Sequence, residues 1–167
     1  MKLVLLGAAG SGKGTLAKKI TRDFGIPQLS MGDIFRDIAK SGSELGLLVQ
    51  KYMSSGALVP DQTTFEVLKE RLFQDDCKKG YILDGFPRTL DQAKLLAKVT
   101  DVDAVVSVEL PFEELEKRLV TRRNCPKCGE IDNTTYEGYT GKCRKCQTPL
   151  FQRDDDKPEA IKARLEV

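Results

Sequence analysis

Apolar positions along the chain fall into short unbroken runs separated by stretches with a helical period. The opening run, Met1–Leu6, reads as a strand buried on both faces, and a helix is expected from about Lys13 to Phe24. "GIPQLS" reads as a loop with at most a short strand. Helices are expected near Gly32–Lys40 and Glu44–Ser54, with a third from Asp61 to about Asp75. "YILD" (Tyr81–Asp84) reads as a second buried strand, and "FPRTLDQAKLLAKV" turns into another helix. The β-branched "AVVSVEL" (Ala104–Leu110) is the third strand, followed by a helix from Phe112 to about Arg122. A last helix is expected near Asp156, where Asp156 and Glu159 have the spacing of a capping box. Strands alternating with helices imply a parallel sheet covered on both faces, a three-layer α/β/α fold.

The pattern fails between Arg122 and Arg153, where Gly, Cys, Tyr and Thr replace apolar periodicity. The expected organisation is a core over 1–121, an inserted lid over 122–153 and a return helix over 154–167. A length of 167 residues suits one domain carrying a small insertion. The formal net charge of +2 makes no general case for nucleic acid or a membrane surface. No stretch approaches the roughly 18 apolar residues of a membrane span. The short apolar start runs into a Gly-Lys-Gly turn where a signal peptide would have its cleavage site. Four of the five cysteines form two CxxC pairs, which favours metal in a reducing compartment over disulfides, and hence a cytoplasmic location.

The candidate chemistry begins at "GAAGSGKGT" (Gly7–Thr15). Gly7, Gly10, Gly12 and Gly14 free the backbone to bend around a ligand between a buried strand and a helix start. Successive N–H groups there would cradle phosphates, with Lys13 reaching between the terminal ones. The usual phosphate loop has Ser or Thr directly after the lysine, to hold Mg²⁺. Here Gly14 fills that place and the hydroxyl comes one residue late, at Thr15. Asp84, at the carboxyl end of the second strand, lies where ligands bind in open α/β sheets and would hold the water shell of Mg²⁺ instead. Arg118 and Arg122, four apart, are expected on one face of one helix. With Arg36, Arg88, Arg153 and Arg164 they would suit a reaction that brings two polyphosphates together. The chain has no histidine, but a phosphate acceptor is already ionised near neutral pH and needs no base.

"CPKC" (Cys125, Cys128) and "CRKC" (Cys143, Cys146) place two thiolates on each of two turns, enough to close a tetrahedron around a structural Zn²⁺. Gly129 and the Gly-Lys before Cys143 suit tight knuckles. Cys77 reads as an ordinary loop residue.

Taken together, the chain resembles adenylate kinases of the long-lid bacterial type over essentially its whole length. The stretches that carry the likeness are "GAAGSGKGT", "LSMGDIFR", "GALVPD", "LDGFPRTLDQA", "RRNCPKCG" and "FQRDDD…ARLEV". The displaced hydroxyl is that family's form of the loop. The resemblance implies the reaction MgATP + AMP ⇌ 2 ADP, and ATP, AMP and ADP as the partners of a monomer. It places Gly10, Ser11, Gly12, Lys13, Gly14 and Thr15 on the ATP phosphates, with Arg118 and Arg122 on the ATP side. It places Arg36, Arg88, Arg153 and Arg164 on the AMP phosphate or the transferring group. Helices of about 30–60 would help bind AMP, in a pocket of Met31, Ala57, Leu58, Val59, Gly85, Phe86, Pro87 and Arg88, with Gln92 on the adenine. Thr89 and Gln92 also have the spacing of a capping box.

Ala9 and Leu16 stand where the family usually has Pro and Gln, and Met31 where AMP enzymes commonly carry Thr. Family chains also run on past "RLEV" into a longer helix, a strand and a last helix. Two other readings are a kinase of another nucleoside monophosphate, and a non-catalytic ATP-binding zinc-ribbon module.

Overall fold

A computed structural model describes residues 1–165; residues 166–167, the end of the expected return helix, lie outside the described residues. Four parallel strands, β1 (Lys2–Leu6), β2 (Gln28–Ser30), β3 (Tyr81–Asp84) and β4 (Ala104–Ser107), form a sheet in the order β2-β3-β1-β4. Helix α1 (Lys13–Phe24) leads from β1 to β2. Helices α2 (Met31–Lys40), α3 (Glu44–Ser55) and α4 (Asp61–Leu72) fill the crossover to β3, and α5 (Leu90–Ala97) leads to β4. After α6 (Phe112–Thr121) comes the hairpin β5 (Arg122–Asn124) and β6 (Ile131–Asn133), and the described chain ends in α7 (Pro158–Leu165).

The period of two along β1 sorts its side chains onto two cores. Leu3 and Leu5, with Ile82 of β3, pack against Ala17 of α1 and Ile26. Val4, Leu29, Tyr81 and Leu83 face the other way, onto Met31, Phe35, Val49, Phe65, Leu68 and Leu96 of α2–α5. Each of the Leu, Val, Ile, Met and Phe side chains contributes about 1.5–3 kcal/mol by leaving water. At β4 the cover is thinner: all four of its residues are exposed.

Several elements differ from expectation. The three-residue β2 is a full member of the sheet, pairing with Gln28 opposite Ile82 and Ser30 opposite Asp84. Helix α4 stops at Leu72, and Asp75–Cys77 form a separate 3₁₀ turn that buries Cys77 beside Arg71. Cys77 is therefore a core residue, although loop composition surrounds it. The third strand ends at Ser107 rather than Leu110. Arg122 does not continue the preceding helix: its backbone is extended and opens β5, so it does not share a helical face with Arg118. The expected Asp156 cap does not form. Asp154–Asp156 make a 3₁₀ turn, α7 starts at Pro158, and the Asp156 carboxylate is taken by two arginines. Charge-assisted bonds from guanidinium outcompete a backbone N–H for the same oxygens.

Among the described residues, no helix is long and apolar enough to cross a membrane.

Candidate active site

Three glycines of the loop after β1, Gly7, Gly10 and Gly12, hold positive φ that other residues adopt only with strain. Gly7 has φ 135°, and a Cβ there would lie 2.3 Å from the Val108 carbonyl oxygen. Gly12 has φ 105° and caps α1 in the left-handed region. The loop folds back so that Lys13 Nζ donates to the carbonyls of Gly7 and Ala8 at 2.7 and 2.8 Å. Gly14 sits beside Asp84: a Cβ at position 14 would be 3.7 Å from Asp84 Oδ2. The carboxylate, which also accepts from Gln28 Nε2 at 2.8 Å, thus occupies the neighbourhood that a Ser or Thr hydroxyl fills in the usual loop.

A cleft of about 630 Å³ opens over this loop, at the carboxyl ends of the strands. Gly10, Gly12, Lys13, Gly14 and Thr15 form its floor, and Asp84, Gly85, Pro87 and Arg88 one wall. Arg36, Arg118, Arg122, Arg153 and Arg164 reach it from five separate segments. Eight cationic side chains line the cleft against three acidic ones, so it selects anions of high charge. Its groups register the crowding. Burial foremost, with Arg88, Arg164 and Arg122 adding and Asp84 opposing, holds Lys13 down at about 8. Burial, then Arg36 and Arg122, brings Arg153 down to about 10. Arg88 is lowered by burial and by Arg164, and burial pushes Asp84 up against the pull of Lys13 and Gln28.

Aspartates between the arginines hold them in place. Asp33 bonds Arg36 and lies 3.9 Å from Arg153. Burial would raise Asp33, but Arg36, the Ser30 hydroxyl and Arg153 together keep it below its usual value. Asp155 lies 3.7 Å from Arg36 and 3.1 Å from Arg164. Asp156 accepts from Arg122 Nε at 2.8 Å and from Arg164 Nη1 at 3.1 Å.

A smaller pocket, lined by Met31, Phe35, Ala57, Leu58, Val59, Thr64 and Gln92, joins the cleft where Arg36, Gly85, Arg88 and Arg164 line both. Two expected residues lie off both cavities. Phe86 is buried in the core, and the Ser11 hydroxyl is buried under the loop without a partner. Gln92 forms half a capping box: its N–H donates to the Thr89 hydroxyl, while its side chain accepts from Arg88 N–H rather than from Thr89.

The segment between Arg122 and Arg153 lies against the core. Lys18 of α1 donates to the Gly129 carbonyl at 2.9 Å, and Ile131, Asp132, Asn133 and Tyr136 line the cleft opposite the loop. Within it the sulfurs of Cys125, Cys128, Cys143 and Cys146 lie within 4.8 Å of one another. Pairs at 3.4–3.5 Å approach the spacing of about 3.8 Å that four thiolates take around an ion at 2.3 Å. The residue after each pair turns left-handed, Gly129 at φ 67° and Gln147 at φ 60°. The Thr148 hydroxyl and N–H hold Cys146 down at about 6. The donor set fits a metal with a preference for sulfur.

Motif spacing points to the loop and the four cysteines, and a place at the end of an apolar run points to Asp84. Asp33, Asp155 and the lid residues facing the cleft carried no local signal. Asp156 did carry one, which pointed to a helix cap.

A glycine-rich loop at a strand end, a cleft lined by arginines with a second pocket branching from them, and a cysteine-bearing segment packed against it are the parts of a nucleotide phosphotransferase. The adenylate kinase family profile matches residues 5–167. The chain is 49% identical to the adenylate kinase of Thermodesulfovibrio yellowstonii, over all of this chain and 81% of that protein. It is 46% identical to those of Archaeoglobus fulgidus and Caldicellulosiruptor saccharolyticus, again over the whole chain and over 80% and 81% of theirs. The chain belongs to the adenylate kinase family, enzymes that interconvert ATP plus AMP with two ADP, using Mg²⁺ with ATP.

Proposed function

We propose that the two cavities are the donor and acceptor sites of this reaction and that phosphoryl transfer happens where they meet. The observation that carries this reading is the shared wall. Arg36, Gly85, Arg88 and Arg164 line both the large cleft and the smaller pocket, so phosphates entering from each side converge on the same guanidiniums.

In this reading Gly10–Thr15 hold the ATP phosphates through backbone N–H groups, and Ser11 contributes its backbone alone. Lys13 exchanges the Gly7 and Ala8 carbonyls for phosphate oxygens. Arg118 and Arg122 bind on the ATP side. Arg36, Arg88, Arg153 and Arg164 grip the AMP phosphate and the transferring group in bidentate fashion. Asp84 holds the water shell of the Mg²⁺ that accompanies ATP. The AMP base enters between Met31, Ala57–Val59 and Gln92. Catalysis is then positioning and charge neutralisation in a site with no histidine.

The core spans 1–121, the lid 122–153 and the return helix 154–167. The lid cysteines hold one structural Zn²⁺, with no open position for substrate. The enzyme works as a cytoplasmic monomer. The test is Arg88→Ala in steady-state assays of ADP formation. It should raise KM for AMP at least tenfold more than KM for ATP, and equal effects on both would refute the assignment of the subsites.

A further inference from the structure

Gln92 is 2% exposed, lines the smaller pocket, and is gripped from both ends of its amide. Its Oε1 accepts the Arg88 backbone N–H at 2.7 Å, and its Nε2 donates to Asp61 Oδ1 at 2.7 Å. The two partners are chemically one-sided, since a backbone N–H only donates and a carboxylate only accepts. Turning the amide over would set oxygen against carboxylate and NH₂ against N–H. The partners therefore dictate its orientation. Asp61 is itself anchored, because its Oδ2 accepts the Thr89 hydroxyl at 2.8 Å.

An amide has two N–H donors and two oxygen lone pairs. One of each is used, which leaves one donor and one acceptor for a base. The other polar side chain in the wall of this pocket away from the arginines, Thr64, donates its hydroxyl to the Val59 carbonyl at 3.1 Å. Met31 offers only a weak sulfur acceptor. Adenine presents an N6 donor beside an N1 acceptor. Hypoxanthine, of the same size, presents an O6 acceptor beside an N1–H donor. The two need opposite orientations of the same amide.

We propose that Asp61, which lines neither cavity, is the specificity-determining positioning residue: by locking the Gln92 amide it admits 6-aminopurine monophosphates and rejects 6-oxopurine ones. This rests on the reading of the smaller pocket as the acceptor-base site. The experiment compares AMP and IMP as acceptors, by kcat/KM for ADP formation, in the wild type, Asp61→Asn and Gln92→Met. An asparagine can donate as well as accept, so the flipped amide regains its partner at position 61 and only the Arg88 N–H still opposes the turn. The AMP-to-IMP ratio should fall at least fivefold in Asp61→Asn, with the IMP value itself rising. A merely structural role would lower both acceptors together and leave the ratio alone. An unchanged ratio in Asp61→Asn, alongside a lowered one in Gln92→Met, overturns the proposal and leaves Gln92 on the base. An unchanged ratio in Gln92→Met removes Gln92 from base recognition and overturns both. Asp61→Ser, whose hydroxyl also works in either sense, is read by the same criteria where the asparagine variant does not fold.

Discussion

Three consecutive aspartates of identical chemistry should respond very differently to the same substitution. Asp156 is fully buried and is the shared counter-ion of Arg122, at the entry to the lid, and Arg164, on α7. Asn at 156 keeps the shape but removes the charge, and its NH₂ then faces a guanidinium. Breaking a buried ion pair from one side costs about 3–5 kcal/mol. Arg164 retains Asp155 at 3.1 Å, so the low end, about 3 kcal/mol, applies. At about 2–4 °C per kcal/mol for a chain of this size, Asp156→Asn should lower the melting temperature by about 6–12 °C. Asp154, by contrast, has an 84% exposed side chain paired only with Lys157. Exposed pairs contribute about 0–1 kcal/mol, so Asp154→Asn should shift melting by less than about 2 °C. Asp155, nearly buried between Arg36 and Arg164, should fall between them. The assay is thermal unfolding by circular dichroism, with KM for ATP measured alongside, because Arg122 loses its anchor when Asp156 does. Equal shifts for the Asp154 and Asp156 variants, or a shift under 2 °C for Asp156→Asn, would show that the buried pair contributes no more than a surface one.

The depressed Lys13 sets a pH limit. With a folded value of about 8 against 10.5, the free enzyme sheds this proton earlier than the unfolded chain, so the cost of burying the ammonium is relieved, and stability rises, between about pH 8 and 10.5. If Lys13 binds the ATP phosphates as proposed, ATP binding needs the ammonium and takes a proton up in that window. The kcat/KM for ATP should therefore fall with unit slope above about pH 8, and a flat profile to pH 9.5 would refute the assignment. In the lid, Cys128→Ser with Cys146→Ser, or chelation, should lower melting and weaken ATP binding, and purified protein should carry about one zinc per chain. Metal-free protein with unaltered melting would exclude the site. Gln147 holds a left-handed turn that Gly129 holds in the other knuckle, so Gln147→Gly should stabilise the metal-loaded protein by about 1 kcal/mol, read by thermal unfolding.

What could be read in the chain, and what could not, divides by the range of the cause. The β1 run, the glycines of the phosphate loop and the CxxC pairs are shaped by neighbours within a few residues, and local pattern was enough to find them. The alternation of Leu3, Val4 and Leu5 even carries the two faces of the sheet. Several differences from local expectation lie where a polar side chain had a local and a distant partner to choose between. Asp156 has a backbone N–H three residues on, but takes guanidiniums 34 and 8 residues away. Arg122 has helical spacing from Arg118, but leaves the helix to meet that carboxylate. Gln92 divides its groups, its backbone capping locally and its amide reaching 31 residues to Asp61. In each case the distant partner is charged and at least partly withdrawn from water, and a charge-assisted bond there outweighs an exposed cap worth about 1 kcal/mol. The arginines follow the same rule at larger scale. Scattered through the sequence, each has ordinary surface composition around it. Only the parallel sheet, which delivers every strand end to one edge, brings them together over the phosphate loop. A nucleotide site of this kind is thus half local and half topological. Its loop can be recognised from nine residues, but the aspartates that pair with its arginines become visible only once the chain is folded.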